Sequence, residues 1–216
     1  MTNPRKPSRL RLVLLFAVVT TLSLAAGYWV SDRFFNRPTP QLRGLHATRF
    51  AEPRAIQPFN LVDDTGKAFR NEDLQGRWSF VFFGYTHCPD VCPTTLSVLN
   101  SVARMLEKSP QAPRFVFISV DPERDTPETL GRYVAYFNGE FIGATGTPDE
   151  LNKLTQQLGV IYMRVTENAD SENYLVDHTA SVLLFDPDGR FHALFSPPLK
   201  AADMAEDFRR MAQAYH

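Results

Sequence analysis

The sequence predicts an α/β fold, with a mixed central sheet flanked by helices, set behind a single N-terminal transmembrane helix. Three features point to it. Apolar runs of strand length alternate with helical periodicity through the middle of the chain, a hairpin pattern closes its end, and a nineteen-residue uncharged stretch stands near its start. At 216 residues the chain has room for one domain plus extras.

The uncharged stretch is Leu12–Val30. At about 1.5 Å per residue it reaches roughly 28 Å, the thickness of a bilayer's hydrocarbon core. Arg5, Lys6, Arg9 and Arg11 precede it and no acid does, so residues 1–11 are expected on the cytoplasmic side and everything beyond Val30 across the membrane. Ser23-Leu24-Ala25 resembles a cleavage site, but the apolar stretch runs on past it and is longer than a usual signal core, which favours an uncleaved anchor. The short basic leader leaves little room for an organellar transit peptide. A bacterial inner-membrane protein with a periplasmic body is therefore expected.

Residues 31–56 hold prolines and arginines without apolar periodicity and read as a linker; the body is expected over 57–216. Phe59–Val62 and Lys67–Phe69 flank Asp63-Asp64-Thr65-Gly66, a hairpin pattern. Trp78–Gly84 (WSFVFFG) and Arg114–Val120 (RFVFISV) are apolar throughout, as strands covered on both faces require. Between them Leu96, Leu99, Val102, Ala103 and Leu106 form a helical stripe, with the helix expected to open at Pro93. Thr126 and Pro127 suit the N-cap and first turn of a helix reaching Phe137. A strand over Phe141–Ala144 and a helix over Pro148–Leu158 follow. Strands are then expected near Val160–Val165, Tyr174–Val176, Ala180–Phe185 and Phe191–Phe195, with Asp186-Pro187-Asp188-Gly189 turning the last pair. A helix over Ala201–Ala214 ends the chain.

Charge and composition exclude several functions. Residues 1–60 carry nine Lys/Arg against two acids, while 61–216 carry fourteen against twenty-two. A body so rich in carboxylates repels phosphate, and nucleic-acid binding is not expected. Two cysteines are too few for a disulfide-stapled scaffold or a four-cysteine metal site.

Those cysteines, Cys88 and Cys92, lie in Gly84-Tyr85-Thr86-His87-Cys88-Pro89-Asp90-Val91-Cys92-Pro93, between a buried strand and a helix start. Sites of open α/β sheets lie at such strand ends. With Cys92 at or beside the cap, free backbone N–H groups would favour thiolate. A structural disulfide there would enclose only three residues and constrain the unfolded chain little, so the pair reads as a redox or metal pair.

The stretches VFFGYTHCPDVCPTTL (81–96), SVDPERDTPE (119–128) and Asp177-His178-Thr179-Ala180 resemble the Sco/SenC family of copper-binding cytochrome c oxidase assembly proteins, and the likeness runs from about residue 57 to the end. The resemblance implies a thioredoxin-like fold and a copper site made by Cys88, Cys92 and His178. Two thiolates and an imidazole are a soft set suited to Cu(I) that also holds Cu(II), whereas structural zinc would want a fourth protein ligand. The resemblance further implies a metallochaperone rather than an enzyme. It would deliver copper to the dinuclear centre of cytochrome c oxidase subunit II, with another copper chaperone or a thiol reductase as a further partner and the membrane held through the anchor.

A thiol–disulfide oxidoreductase acting on the oxidase subunit or other exported proteins is the alternative, since metal delivery itself needs a reduced acceptor. The three-residue spacing, and Ala180 where thioredoxins carry their cis-proline, argue against a generic thioredoxin. Peroxide chemistry ranks third, because Tyr85 stands where a peroxidase-type threonine would. His87 should point away from Cys88. Asp177 either orients His178 or merely ends a strand, and Asp90 either tunes the site or is a solvated turn residue. Helix capping accounts for Asp121–Glu128, though their place after a central strand also permits a role at the site's rim. His46, His192 and His216 are weaker candidates.

Overall fold

The computed structural model describes residues 9–35, 44–165 and 174–215, with side chains from 14 to 29 in the first helix. It divides into two units, Met1–Gln41 and Leu42–His216.

The first unit contains α1 (Arg9–Phe35), about 40 Å long at 1.5 Å per residue. Leu14, Leu15, Phe16, Val18, Val19, Leu22 and Leu24 are all exposed on it. The hydroxyls of Thr20 and Thr21 donate to the carbonyls of Phe16 and Ala17 at 2.8 Å, so these polar groups are satisfied within the helix. Among the described residues no helix is long and apolar enough to cross a membrane. Of the expected span, the side chains of residues 12, 13 and 30 lie outside that description.

The second unit is the predicted mixed sheet flanked by helices. Its strands are β1 (Thr48–Arg54), β2 (Asn60–Asp63), β3 (Ala68–Arg70), β4 (Ser79–Gly84), β5 (Arg114–Ser119), β6 (Ile142–Thr145), β7 (Tyr162–Val165), β8 (Leu175–His178), β9 (Val182–Phe185) and β10 (Phe191–Phe195). Its helices are α2 (Val91–Leu106), α3 (Pro127–Phe137), α4 (Pro148–Leu158) and α5 (Ala201–Gln213). Eight strands form one sheet in the order β1-β10-β9-β4-β5-β6-β2-β3. β4, β5 and β6 run parallel and the other pairings are antiparallel. All six residues of the central β4 are buried, as its unbroken apolar run requires. α2 turns Leu96, Leu99, Val102 and Leu106 into the core and packs beside α5. The Thr126 hydroxyl accepts from the Thr129 N–H at 3.2 Å, the expected cap of α3.

Two expectations need correction. Thr48–Arg54, assigned to the linker, is edge strand β1, paired with β10 through a register shift between Arg49 and Arg54. Its charges and Pro53 hide the strand from periodicity, yet such residues suit an edge, which must not recruit another strand. Phe50 holds it in place, edge-on to Phe191 at 4.8 Å, with the Arg54 guanidinium 4.2 Å above the Phe50 ring. Second, α2 opens at Val91, not Pro93, so Cys92 lies inside the first turn. A proline early in a helix is tolerated because the N–H it lacks would have no partner there. The strands expected near 160–165 and 174–176 are present as β7 and β8, which pair with each other as a separate two-stranded ribbon.

Candidate metal centre

The backbone leaves β4 at Gly84 and bends sharply. Asp125, wholly buried, fixes the bend by accepting the Thr86 N–H at 2.8 Å, the Thr86 hydroxyl at 2.6 Å and the Ser119 hydroxyl at 2.5 Å. Three donors satisfy a carboxylate that burial would otherwise penalise. The Cys88 N–H then donates to the Tyr85 carbonyl at 3.3 Å, and the Cys92 N–H donates back to the Cys88 sulfur at 3.4 Å. Cys88 is half-buried and Cys92 is 0% exposed. Gly84 makes room for the deeper sulfur: a Cβ there would stand 2.6 Å from Cys92 Sγ and 2.8 Å from the Phe117 ring.

His178, the last residue of β8, arrives from the ribbon. Its Nε2 lies 3.2 Å from Cys92 Sγ, and its Nδ1 lies 3.2 Å from the Thr179 carbonyl oxygen. A carbonyl only accepts, so Nδ1 carries the proton and Nε2 turns its lone pair toward the sulfur. Phe82 and Tyr85 abut the imidazole edge-on, with centroids 5.8 and 6.0 Å away. Burial lowers the pKa of His178, against the pull of the Thr179 carbonyl and Asp177, so the ring is neutral at pH 7 and fit to ligate.

The ligand atoms of Cys88, Cys92 and His178 all lie within 4.8 Å of one another, and among the described residues they alone form such a group. Both cysteines are free thiols. A cleft of about 200 Å³, walled by Pro89, Val91, Leu175 and Val176, opens beside Cys88 and His178. A larger cleft of about 830 Å³ lies at the opposite ends of β4 and β5, among Arg77, Arg104 and Arg114, and contains none of these ligands.

The expected thiolate at the helix start does not hold for Cys92. Burial pushes its pKa far up, and the neighbouring Cys88 and Asp125 add to the rise, against the pull of the Tyr85 backbone. A helix terminus contributes about 0.3–1 kcal/mol, less than the desolvation of a fully enclosed anion. A metal ion taken up here therefore displaces a proton from this sulfur.

A family model described as SCO1/SenC matches residues 48–213. The chain belongs to the SCO1/SenC family. A SCO2-like protein of Rickettsia prowazekii is 37% identical over 152 residues, which is 70% of this chain and 74% of that protein. The structure of Bradyrhizobium japonicum ScoI with copper bound is 41% identical, with 72% of this chain and 99% of that one covered and a TM-score of 0.65. Arabidopsis thaliana ScoI with copper bound is 35% identical over 74% of this chain and 100% of that one, with a TM-score of 0.70.

The remaining candidates of this SCO1/SenC chain separate cleanly. His87 is 53% exposed, with Nδ1 3.1 Å from the Thr86 hydroxyl and 3.7 Å from Asp125, and it stays outside the ligand group. Asp90 is exposed, and the Thr94 hydroxyl donates to it at 3.4 Å. Asp177 is exposed and lines the cleft beside Cys88 and His178, while the Thr179 carbonyl meets the imidazole Nδ1. His46 faces Asp203 and Asp207 at 3.7 Å, and His192 is buried beside Trp78, both away from the ligand group. His216 lies outside the described residues. The structure gives Asp125 the rim role that its segment allowed, and adds parts for Gly84 and Thr179 that the sequence reading did not assign. The acids and the glycine carried weak cues, namely a rim position after a central strand and a glycine closing an apolar one.

Proposed function

We propose that the chain is a copper metallochaperone, anchored in a bacterial inner membrane by residues 12–30, that hands copper to the dinuclear centre of cytochrome c oxidase subunit II during assembly. Copper is its cargo, held by the sulfurs of Cys88 and Cys92 and by Nε2 of His178. The observation that carries the reading is the convergence of these three atoms within 4.8 Å on a scaffold whose relatives include copper-bound structures. Two sulfurs and one nitrogen favour soft, low-coordinate Cu(I) and also accommodate Cu(II), which suits an ion that must be released. The half-exposed Cys88 beside the cleft leaves room for an incoming ligand. The uncovered leucines and valines of α1 support the anchor, since an apolar helix without a covered stripe suits lipid better than water.

The test is a competition titration of the reduced protein against a Cu(I) chelator, beside the Cys88→Ser/Cys92→Ser double variant. The reading requires tight, stoichiometric binding that the double variant loses; equal binding by both would end it.

A thiol–disulfide oxidoreductase is the second reading, favoured by one observation. Cys88 is accessible and accepts the Cys92 N–H, while Cys92 waits buried behind it, an arrangement suited to an attacking and a resolving sulfur. Turnover of a disulfide substrate by metal-free protein at enzyme-like rates would place this reading first.

A further inference from the structure

His178 poses a mechanical problem. The cysteines are held by β4, α2 and the buried Asp125, whereas the imidazole rides on a ribbon with no backbone ladder to the main sheet. Something other than strand pairing must hold β8 against the body.

Arg164 of β7 pairs with Glu123 at 3.1 Å and the Val176 backbone hydrogen-bonds the Tyr85 hydroxyl, but the densest set of contacts gathers on Tyr174, the buried residue just before β8. Its hydroxyl donates to Asp121 Oδ1 at 2.6 Å and meets Glu123 at 3.5 Å. Its carbonyl accepts from the Arg124 guanidinium at 3.0 Å. The guanidinium carbons of Arg124 and Arg164 lie 3.6 and 3.5 Å from the centroid of its ring. Arg124 is itself fixed by Asp121, with Nε 2.5 Å from Oδ2 and the pair largely buried. Among the described residues its remaining terminal nitrogen has no hydrogen-bond partner, and the hydrogen bonds it makes there all serve this join. Asp121 also links back to the cysteine loop, because its carbonyl accepts the N–H of Asp125, which holds Thr86. The far side of the ribbon has a separate tie, from the Tyr162 hydroxyl to Asn152 on α4.

We propose that Arg124, with Asp121 and Tyr174, forms a clasp that positions His178 against the two cysteines, so that these three residues set how much the imidazole contributes to metal binding. They touch no ligand; they are positioning residues, and the inference rests on the metal-binding reading above. It assigns a task to the segment Asp121–Asp125 beyond capping α3. A planar guanidinium that bonds a carbonyl while stacking on the ring of the same residue cannot be replaced by a point charge.

Two measurements on the full chain test it. In metal-free Arg124→Gln, amide hydrogen exchange of residues 174–179 is expected to quicken about tenfold or more while that of β9 stays unchanged, as local opening of the ribbon requires. In the loaded protein, Cu(II) binding by Arg124→Gln should weaken roughly tenfold, with Cu(I) held by the sulfurs changing far less. Combined with His178→Ala, Arg124→Gln should add nothing, because its effect passes through the imidazole. Tyr174→Phe keeps the stacking and loses only the hydroxyl; it should show smaller changes in the same direction, and it serves if Arg124→Gln fails to fold. Unchanged exchange in 174–179, or losses that add in the double variant, would overturn the clasp. Failure of the wild-type chain to bind copper would instead overturn the function, while the exchange experiment would still decide the clasp.

Discussion

The site depends on single atoms in the right place. Gly84 shows how little tolerance there is: Gly84→Ala would press a methyl into Cys92 Sγ and Phe117, both packed in the core. We expect a loss of about 1–3 kcal/mol in denaturant unfolding, as for other overpacked cores, together with weaker Cu(I) binding in chelator competition. Wild-type values for both would mean that β4 or α2 shifts freely, contrary to the tight packing described. Either Cys88→Ser or Cys92→Ser alone should abolish tight Cu(I) binding, because one thiolate cannot hold the ion against a chelator. His178→Ala should weaken Cu(II) more than Cu(I), since two sulfurs can still bind Cu(I) linearly; equal losses would contradict that division of labour. At this scale the sequence was most informative about residue type and least about surroundings. The two sulfurs and their soft chemistry are readable from Cys88–Cys92. The depth of Cys92 is not, because it comes from Gly84 and Phe117 on neighbouring strands. Nor is Asp125 legible as the anchor of Thr86, since a partner thirty-nine residues away leaves no local pattern.

Elements were legible where burial and capping agree with local pattern. β4, β5, α3 and α4 fall where apolar runs, Thr126 and Pro148 imply. β1 was not, because an edge strand half-facing solvent keeps the polar composition of a linker. A chain starting at residue 57, the expected domain boundary, would expose the β10 edge and uncover Phe191. It should be less stable and more prone to aggregate than one starting at 44, as unfolding and light scattering would reveal. The β9–β10 turn offers a pH test. Asp186 is buried and accepts the Asp188 and Arg190 N–H groups and the Arg190 guanidinium, all at 3.0 Å. Burial alone would raise its pKa, but the neighbouring His192 imidazole, the Arg190 N–H and the Arg190 guanidinium prevail and hold it below the ordinary carboxylate value. A carboxyl with a lowered folded pKa contributes stability above its unfolded value near 3.9, and that contribution is lost as pH falls through the folded pKa. Asp186→Asn should therefore cost about 1.5–3 kcal/mol at pH 7 and flatten the decline in stability below pH 4 in urea titrations. An unchanged acid limb would remove Asp186 from the account.

For the whole molecule, the sequence implied the α/β class, the exported body and the family, and the last of these is now supported by a match over residues 48–213. What it could not convey is that the ligands come from two separately paired sets of strands: a sheet that fixes the cysteines and a ribbon that brings the histidine. Pairing between β7 and β8 is local, but their separation from β9 is a property of the packed fold. Removal of residues 1–30 should release the body into the soluble fraction on membrane fractionation, and retention there would refute the anchor. The unequal depth of the sulfurs has one more consequence. Under the proposed chaperone role, a visiting protein would meet Cys88 at the surface with Cys92 sealed beneath, so cargo would leave in sequence, the outer bond exchanged first and the inner one surrendered last. Such an order would keep the ion from ever being loose in water between one owner and the next.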